Sequence, residues 1–482
     1  MDGLPSGDWA PDDFTRGAED VTALIGEYFE GLRECPVSSD VPPSEIRAMI
    51  PQRPPVHPEP FSTILEDTRK AILPNLTHWN HPRFFGYFAI SGSSPGILAD
   101  MLTSALNVNV MLWRAAPSAA VLEEVVLGWM AEMVGYPPDS DGVLVNGASL
   151  ATLYALAAAR DQMEGLDVRA GGLTAVPAPL RVYASDQAHS SVDKAVITLG
   201  IGQRNLVSVR SDHAYRMDPA ALDDAIRRDL QEKARPMAVV ATVGTTAAGA
   251  ADPVEDLAAI CAEHGLWLHV DAAYGGFWRL VPHLHDRLPA LDRADSIVVN
   301  PHKVLYAPLE VSALYSRRKG ALANTFRLVP EYLETEHVDG AIDFMDFSPQ
   351  LGRSFRALKL WWIVRSFGTA GLSQRLAHSC RLADELRSAI AADPDWELPF
   401  ASPYPLVCLR YLGRGRNAEG DAVNSEIVRR VNQSGRAFVS HAVLRDGYVI
   451  RVSIGNIRTR QEDVDALWTL LRETAAEVDA GV

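Results

Sequence analysis

Two short segments of this chain could do chemistry together. His269-Val270-Asp271-Ala272-Ala273 closes one apolar run with a carboxylate, and Asn300-Pro301-His302-Lys303 follows another with an amine. A lysine can form a Schiff base with an aldehyde, and an aspartate can hold a heteroaromatic nitrogen protonated. Those are the two groups that pyridoxal 5′-phosphate (PLP) requires of a protein, and the cationic ring then drains electrons from the α-carbon of an amino acid when a bond to it breaks. Lys303 is followed by the apolar Val304-Leu305-Tyr306-Ala307-Pro308-Leu309. Desolvation of an amine lowers its pKa and makes it nucleophilic. Each residue also has a bland reading. Taken alone, Asp271 is more commonly a capping aspartate at a strand end. Lys303 could be a solvated surface lysine, although its apolar neighbours argue against that.

Three further places could serve the same ligand. Gly147-Ala148-Ser149 joins a strand to a helix. Small residues there let the backbone approach a ligand, and free N–H groups at a helix start form a phosphate cradle. Simple N-capping by Ser149 is the alternative. His189, in Ala188-His189-Ser190-Ser191, follows a strand and could stack on a planar ring, whereas a lone histidine is more often structural. Thr245-Thr246 follow another strand. A hydroxyl there could reach a ring substituent, or the pair could simply form a turn.

The elements that must position these residues are legible in the hydrophobic pattern. Short apolar strands are expected at 142–146, 181–184, 206–209, 237–243, 266–270, 296–299 and 311–315, with helices at 149–163, 219–232 and 253–263. Continuous apolar strands alternating with helices indicate a mainly parallel sheet covered on both faces, whose carboxyl ends gather the chemistry. Residues 14–34 read as an amphipathic helix, and Pro36 to Pro60 as an extended stretch that is either a linker or an arm around a second subunit. After residue 370 the pattern changes to a small α+β unit. It has a helix at 371–391, a strand at 406–411, a helix near 424–432, a hairpin turn at 445–448 and a capping box at Thr459-Arg460-Gln461-Glu462. The expected division is therefore an N-terminal arm (1–85), a large domain (86–370) and a small C-terminal domain (371–482).

The composition bounds the partners. Lys and Arg number 45 against 61 Asp and Glu, for a net charge of -16. That argues against nucleic acid and against an anionic membrane surface. Four dispersed cysteines with no C-x-x-C pair fit a reducing cytoplasm. No secretory signal and no membrane span is read in the sequence.

Taken in order, these segments resemble the group II PLP-dependent amino-acid decarboxylases, the family of aromatic-L-amino-acid, histidine and glutamate decarboxylases. Asn300-Pro301-His302-Lys303 is similar to the family's cofactor-lysine motif, and His269-Val270-Asp271-Ala272-Ala273-Tyr274 to its ring-nitrogen motif. Gly244-Thr245-Thr246, Ala188-His189-Ser190-Ser191, His78-Trp79-Asn80-His81-Pro82, Phe84-Phe85-Gly86-Tyr87-Phe88, Pro330-Glu331-Tyr332-Leu333 and Leu351-Gly352-Arg353-Ser354-Phe355-Arg356 extend the match over roughly residues 15–475. The aromatic-amino-acid branch is nearest in layout.

The resemblance implies the aspartate-aminotransferase fold (PLP-dependent fold type I), with a mainly parallel seven-stranded sheet and a small C-terminal α+β domain. It implies a cytoplasmic homodimer with active sites at the subunit interface. Lys303 would carry PLP, Asp271 would pair with the ring nitrogen and His189 would stack on the ring. Thr246 would sit near the ring hydroxyl. Ala148, Ser149 and Asn300 would hold the phosphate, with Gly352 contributing from the neighbouring subunit. Ala273 and His302 would line the cofactor site. Tyr332 would protonate the α-carbon after CO2 departs. Phe88, Ala89, Asn109 and Met111 would face the substrate. Asn109 stands where an apolar residue is usual and Val304 where a bulky aromatic is common, which points to a substrate side chain that is polar, or that is not a simple phenyl or indole.

Rival readings use the same residues differently. Relatives of these decarboxylases divert the reaction to oxidative release of an aldehyde, or to elimination of a Cβ substituent such as a thiolate. The presence of Tyr332 and His189 favours plain decarboxylation. A metal-dependent hydrolase built on His283-Leu284-His285-Asp286 would need a second ligand cluster, and none is evident, so no metal is expected. A non-enzymatic scaffold would lack the lysine or the aspartate, and both are present.

Overall fold

The structure is a computed structural model that describes residues 7–88, 90–328, 340–413 and 420–480. Twelve strands are described: β1 (Phe84–Phe85), β2 (Asp141–Val145), β3 (Leu180–Ser185), β4 (Leu206–Val209), β5 (Arg235–Thr242), β6 (Trp267–Asp271), β7 (Ser296–Val299), β8 (Ser312–Ser316), β9 (Trp396–Ala401), β10 (Leu406–Tyr411), β11 (Phe438–Leu444) and β12 (Gly447–Ser453). β2 to β8 form one seven-stranded sheet in the order β2-β8-β7-β6-β5-β3-β4. β8 alone runs against its neighbours, pairing antiparallel with both β2 and β7. The remaining pairs are parallel. The residues of β6, β7 and β8 are all buried, as mainly apolar strands are when both faces of a sheet are covered.

The exits of β2, β3, β5, β6 and β7 lie at one edge of this sheet, and the candidate residues follow them. The helix Ala148–Asp161 packs beneath the sheet on an Ala- and Leu-rich face. It starts one residue after Gly147, whose φ of 90° and ψ of 153° suit glycine far better than a residue with a Cβ.

The second sheet has the order β1-β11-β12-β10-β9. It is antiparallel except for β1, which pairs parallel with β11. β1 belongs to the segment expected to be an N-terminal arm, yet it is an edge strand of the C-terminal sheet. The Val37 N–H bonds Gly435 O at 2.8 Å, and Arg33 pairs with Asp463 at 2.7 Å. This part of the N-terminal segment is thus tied to its own C-terminal unit. By contrast, the helix Pro11–Glu30 buries only Gly17 fully, and its apolar stripe is half-covered within one chain.

Two local expectations are corrected. The helix expected at 371–391 runs from Ala357 to Ala391, with a break at Gly368 (φ 64°) that sets off the first part, which the expected bounds leave out. The capping box does not form on Thr459 and Glu462. The Thr459 hydroxyl donates to Pro82 O (2.7 Å), and Asp463 accepts the Arg460 N–H (2.9 Å), so the cap is shifted by one residue. No helix among the described residues is long and apolar enough to cross a membrane.

Candidate active site

A cavity of about 310 Å³ opens at the carboxyl edge of the large sheet. Phe88, Ala148, Ser149, His189, Thr246, Asp271, Ala273, Asn300, His302 and Lys303 line it. Most of the residues singled out in the sequence are therefore neighbours, although they span more than two hundred positions.

Lys303 lies on the single turn Pro301–Val304 that follows β7. Its Nζ stands 4.8 Å above the Phe88 ring, and the Arg451 guanidinium stands 4.7 Å from the same ring. Phe88 is itself stacked on Tyr274 at 3.9 Å between centroids. Burial lowers the pKa of the lysine, the Asp271 carboxylate opposes that shift and Arg451 adds to it. The outcome is an amine that gives up its proton more readily than a surface lysine.

Asp271 ends β6 and is 7% exposed. Its Oδ1 accepts the Ala273 N–H at 3.1 Å, which fixes the carboxyl group at the strand exit. His189 follows β3. Its Nδ1 accepts the Ser191 N–H at 3.1 Å and lies 2.9 Å from the Ser191 hydroxyl. An Nδ1 that accepts leaves the ring proton on Nε2 in the neutral form. Burial lowers the pKa of this imidazole, as do Lys303 and Lys194, while Asp271 raises it. The neutral ring is therefore the favoured form.

Asn300 and His302 are locked to one another. The Ser312 hydroxyl donates to Asn300 Oδ1 (2.6 Å), and Asn300 Nδ2 reaches His302 Nε2 (3.4 Å). His302 Nδ1 donates to Val311 O (2.6 Å), and burial pushes its pKa down to about 4. His302 thus orients Asn300 as an uncharged group.

The turn after β2 supplies the cradle. A Cβ at Gly147 would meet nothing within 4 Å, so the space beside this backbone is open. The first N–H groups of a helix lack intrahelical partners and attract anions. Arg356, buried at 7% exposure, donates to Asn146 Oδ1 and brings a cation beside this turn. At Gly244 (φ +93°) a Cβ would meet Gly275 N and Tyr274 at 3.0 Å, so the turn before Thr246 needs a glycine.

These residues fit PLP. The site holds an amine, a buried carboxylate, a neutral imidazole and an anion cradle. It also contains a Thr242 hydroxyl that is buried without a hydrogen-bond partner among the described residues.

Other expected residues lie elsewhere. Asn109, Met111 and Gly352 do not line the pocket of their own chain, and Asn109 and Gly352 are exposed. Tyr332 and Ala89 fall outside the described residues. His285 and Asp286 pair with each other on the surface at 2.8 Å, and among the described residues no group of three or more His, Cys, Asp or Glu could hold a metal. The sequence reading missed Thr242, Leu309, Glu310 and Arg451. Glu310 and Arg451 left a signal, since each is a charge within an otherwise apolar run.

The comparisons with known proteins agree with this chemistry. The model of the pyridoxal-dependent decarboxylase conserved domain matches residues 43–412. The aromatic-L-amino-acid decarboxylase of Sus scrofa is 35% identical over 479 residues, covering 97% of each chain. Tyrosine decarboxylase 2 of Narcissus pseudonarcissus is 34% identical over 475 residues, covering 96% of this chain and 94% of that one. The crystal structure of Oryza sativa TDC with PLP and tryptamine superposes with a TM-score of 0.94 at 31% identity, covering 98% of this chain and 99% of that one. The chain belongs to the pyridoxal-dependent decarboxylase family. It has the PLP-dependent fold type I architecture and is a PLP-dependent carboxy-lyase acting on an amino acid.

Proposed function

We propose that this pyridoxal-dependent decarboxylase converts an L-amino acid with a ring-bearing, hydrogen-bonding side chain to its amine, and that Lys303, Asp271, His189 and Tyr332 carry the reaction. The single observation that carries the proposal is the meeting of Lys303 and Asp271 in one cavity behind adjacent strands.

Bound there, PLP supplies the electron sink that lets a bond to the α-carbon break. Lys303 Nζ is the point of covalent attachment, and its lowered pKa supplies the unprotonated amine that attachment needs. Asp271 holds a proton on the ring nitrogen. His189, as a neutral imidazole, would stack on the ring. The N–H groups of Ala148 and Ser149, with Asn300, would hold the phosphate, His302 fixes Asn300, and Thr246 would serve the ring hydroxyl. The Ala273 N–H steadies Asp271. Tyr332 hands a proton to the α-carbon, a role worth about 10²- to 10⁴-fold for a positioned donor.

The working form is a cytoplasmic homodimer. Leu98, Met101, Leu102 and Leu106 on the helix Ser94–Leu106, with Val121 and Val125 on Pro117–Val134, are exposed apolar side chains suited to a second copy. In that arrangement Asn109, Met111 and Gly352 serve the neighbouring pocket, and Asn109 offers a polar contact opposite the Phe88–Tyr274 wall. Glu310 on the pocket lining disfavours acidic side chains. We divide the chain functionally into an arm (1–85), a cofactor domain (86–370) and a C-terminal domain (371–482).

The test is a panel of L-tyrosine, L-DOPA, L-histidine, L-tryptophan and L-glutamate incubated with the purified holoenzyme, with products read by mass spectrometry. One or more of the first four should yield an amine with release of CO2. Amine from L-glutamate alone would refute the substrate class, and aldehyde or keto acid as the main product would refute the assigned outcome.

A further inference from the structure

The proposed chemistry makes no use of one buried ion pair. Glu123, on the helix Pro117–Val134, and Arg353 meet at 2.5 Å with both side chains 1% exposed. Their remaining hydrogen bonds go to two separate pieces of chain. Glu123 accepts the Leu144 N–H (3.0 Å), and Arg353 Nη2 donates to Leu144 O (3.0 Å). This grips β2 two residues before Asn146 and the cofactor turn. Arg353 Nη1 donates to Val110 O (3.0 Å). The Arg353 backbone N–H bonds Asn109 Oδ1, and its carbonyl accepts the Val110 N–H, both at 2.9 Å. The guanidinium also lies 4.8 Å from the Phe344 ring, and the neighbouring Met345 N–H bonds Met111 O at 3.1 Å.

A buried ion pair seldom stabilises a fold more than apolar packing of the same volume would, and its best-attested use is to fix one arrangement among several. The arrangement fixed here is that of Asn109, Met111 and Gly352 relative to the end of β2. Those residues are the ones that do not line their own pocket, and Asn109 and Gly352 are exposed.

We propose that Glu123 and Arg353 are positioning residues. They hold residues 109–111 and Gly352 of one subunit at the height required by the neighbouring subunit's pocket, so that the pair governs substrate binding in trans. This rests on the proposed sharing of each site between two subunits.

Removing one partner alone would strand a buried charge and destabilise the fold. The informative variant is therefore Glu123→Leu with Arg353→Met. The holoenzyme should keep the parent's cofactor content, while its melting temperature falls because Leu144 and Val110 backbone groups lose their partners. Its KM for the panel amino acid that the parent turns over fastest should rise about 10- to 100-fold, with kcat little changed. If that variant does not fold, Arg353→Lys keeps the charge opposite Glu123, loses the forked contacts to Val110 and Leu144, and should show the same split.

Mixed dimers with a Lys303→Ala subunit then locate the effect. Their one live site joins the variant's Lys303 to an intact 109–111 segment from the other subunit, so KM should return to the parent value at half the number of sites. An unchanged KM in the variant homodimer, or a raised KM that persists in the mixed dimer, overturns the proposal. Lys303→Ala homodimers measured alongside report separately on the catalytic reading, because their activity would sink that reading alone.

Discussion

Replacing Asp271 by asparagine is the most incisive perturbation of the site. The side chain is 7% exposed, and its Oδ1 takes the Ala273 N–H, so an amide of the same shape can remain in place. Only the charge is lost. Burial lowers the pKa of both Lys303 and His189, and in each case the Asp271 carboxylate opposes that shift. Asp271→Asn therefore lets both fall further, so that both groups are neutral over a wider pH range. It also removes the charged acceptor for the ring nitrogen. A hydrogen bond to a charged group is worth about 1.5–3 kcal/mol. At 1.36 kcal/mol per tenfold, that is about 10- to 100-fold in cofactor affinity. The loss in kcat at saturating cofactor should be larger, about 10²- to 10³-fold, because the ring must hold its charge most firmly while the carboxylate departs. The assay is a fluorescence titration of apoenzyme with PLP, followed by kcat measured at saturation. A variant that binds PLP within about threefold of the parent and turns over at a similar rate would refute the reasoning.

Tyr332→Phe should slow amine formation and divert product toward aldehyde, as read by mass spectrometry. Amine at the parent rate would remove Tyr332 from its role. Gly147→Ala places a side chain in open space but on a backbone with φ of 90°, so its effect is purely conformational, about 1–3 kcal/mol, and should appear as weakened cofactor binding in the same titration. Acid should unfold the protein early. Burial holds His81, His269 and His302 near pKa 4, below the ordinary 6.5, so their contribution is complete above pH 6.5 and is lost as pH falls toward 4. That loss is about 2 kcal/mol for each by pH 5. Burial raises Asp252 from 3.8 to about 6, which acts in the opposite direction by disfavouring the fold as pH rises through that range. Three histidines outweigh one aspartate, so the melting temperature should fall between pH 7 and pH 5, and a flat profile would contradict the assignment.

The sequence was most informative where pattern and boundary coincide. The strands expected at 206–209, 296–299 and 406–411 match β4, β7 and β10 residue for residue, because each is a short, mainly apolar run that begins after a polar residue or proline. Lys303, Asp271, His189 and the Gly147-Ala148-Ser149 turn could be found because each follows such a strand directly. Where long-range pairing decides, the sequence was silent. Two phenylalanines at 84–85 form a strand only because β11 accepts them, and no periodicity marks so short an element. Arg451 comes from the C-terminal unit and stands against the Phe88 wall of the cavity, and Thr242 turns inward from a strand whose apolar neighbours hide its hydroxyl. The placement of Asn109 could not be read from its own segment, since the Arg353 backbone N–H that bonds it lies 244 positions away.

Covalent attachment of PLP to Lys303 is tested by reducing the active, PLP-loaded enzyme with borohydride, digesting it and sequencing the labelled peptide by mass spectrometry. The cofactor's mass should be found fixed to Lys303 in the peptide containing Asn300-Pro301-His302. Label on a different lysine, or no label in a fully active preparation, would contradict it.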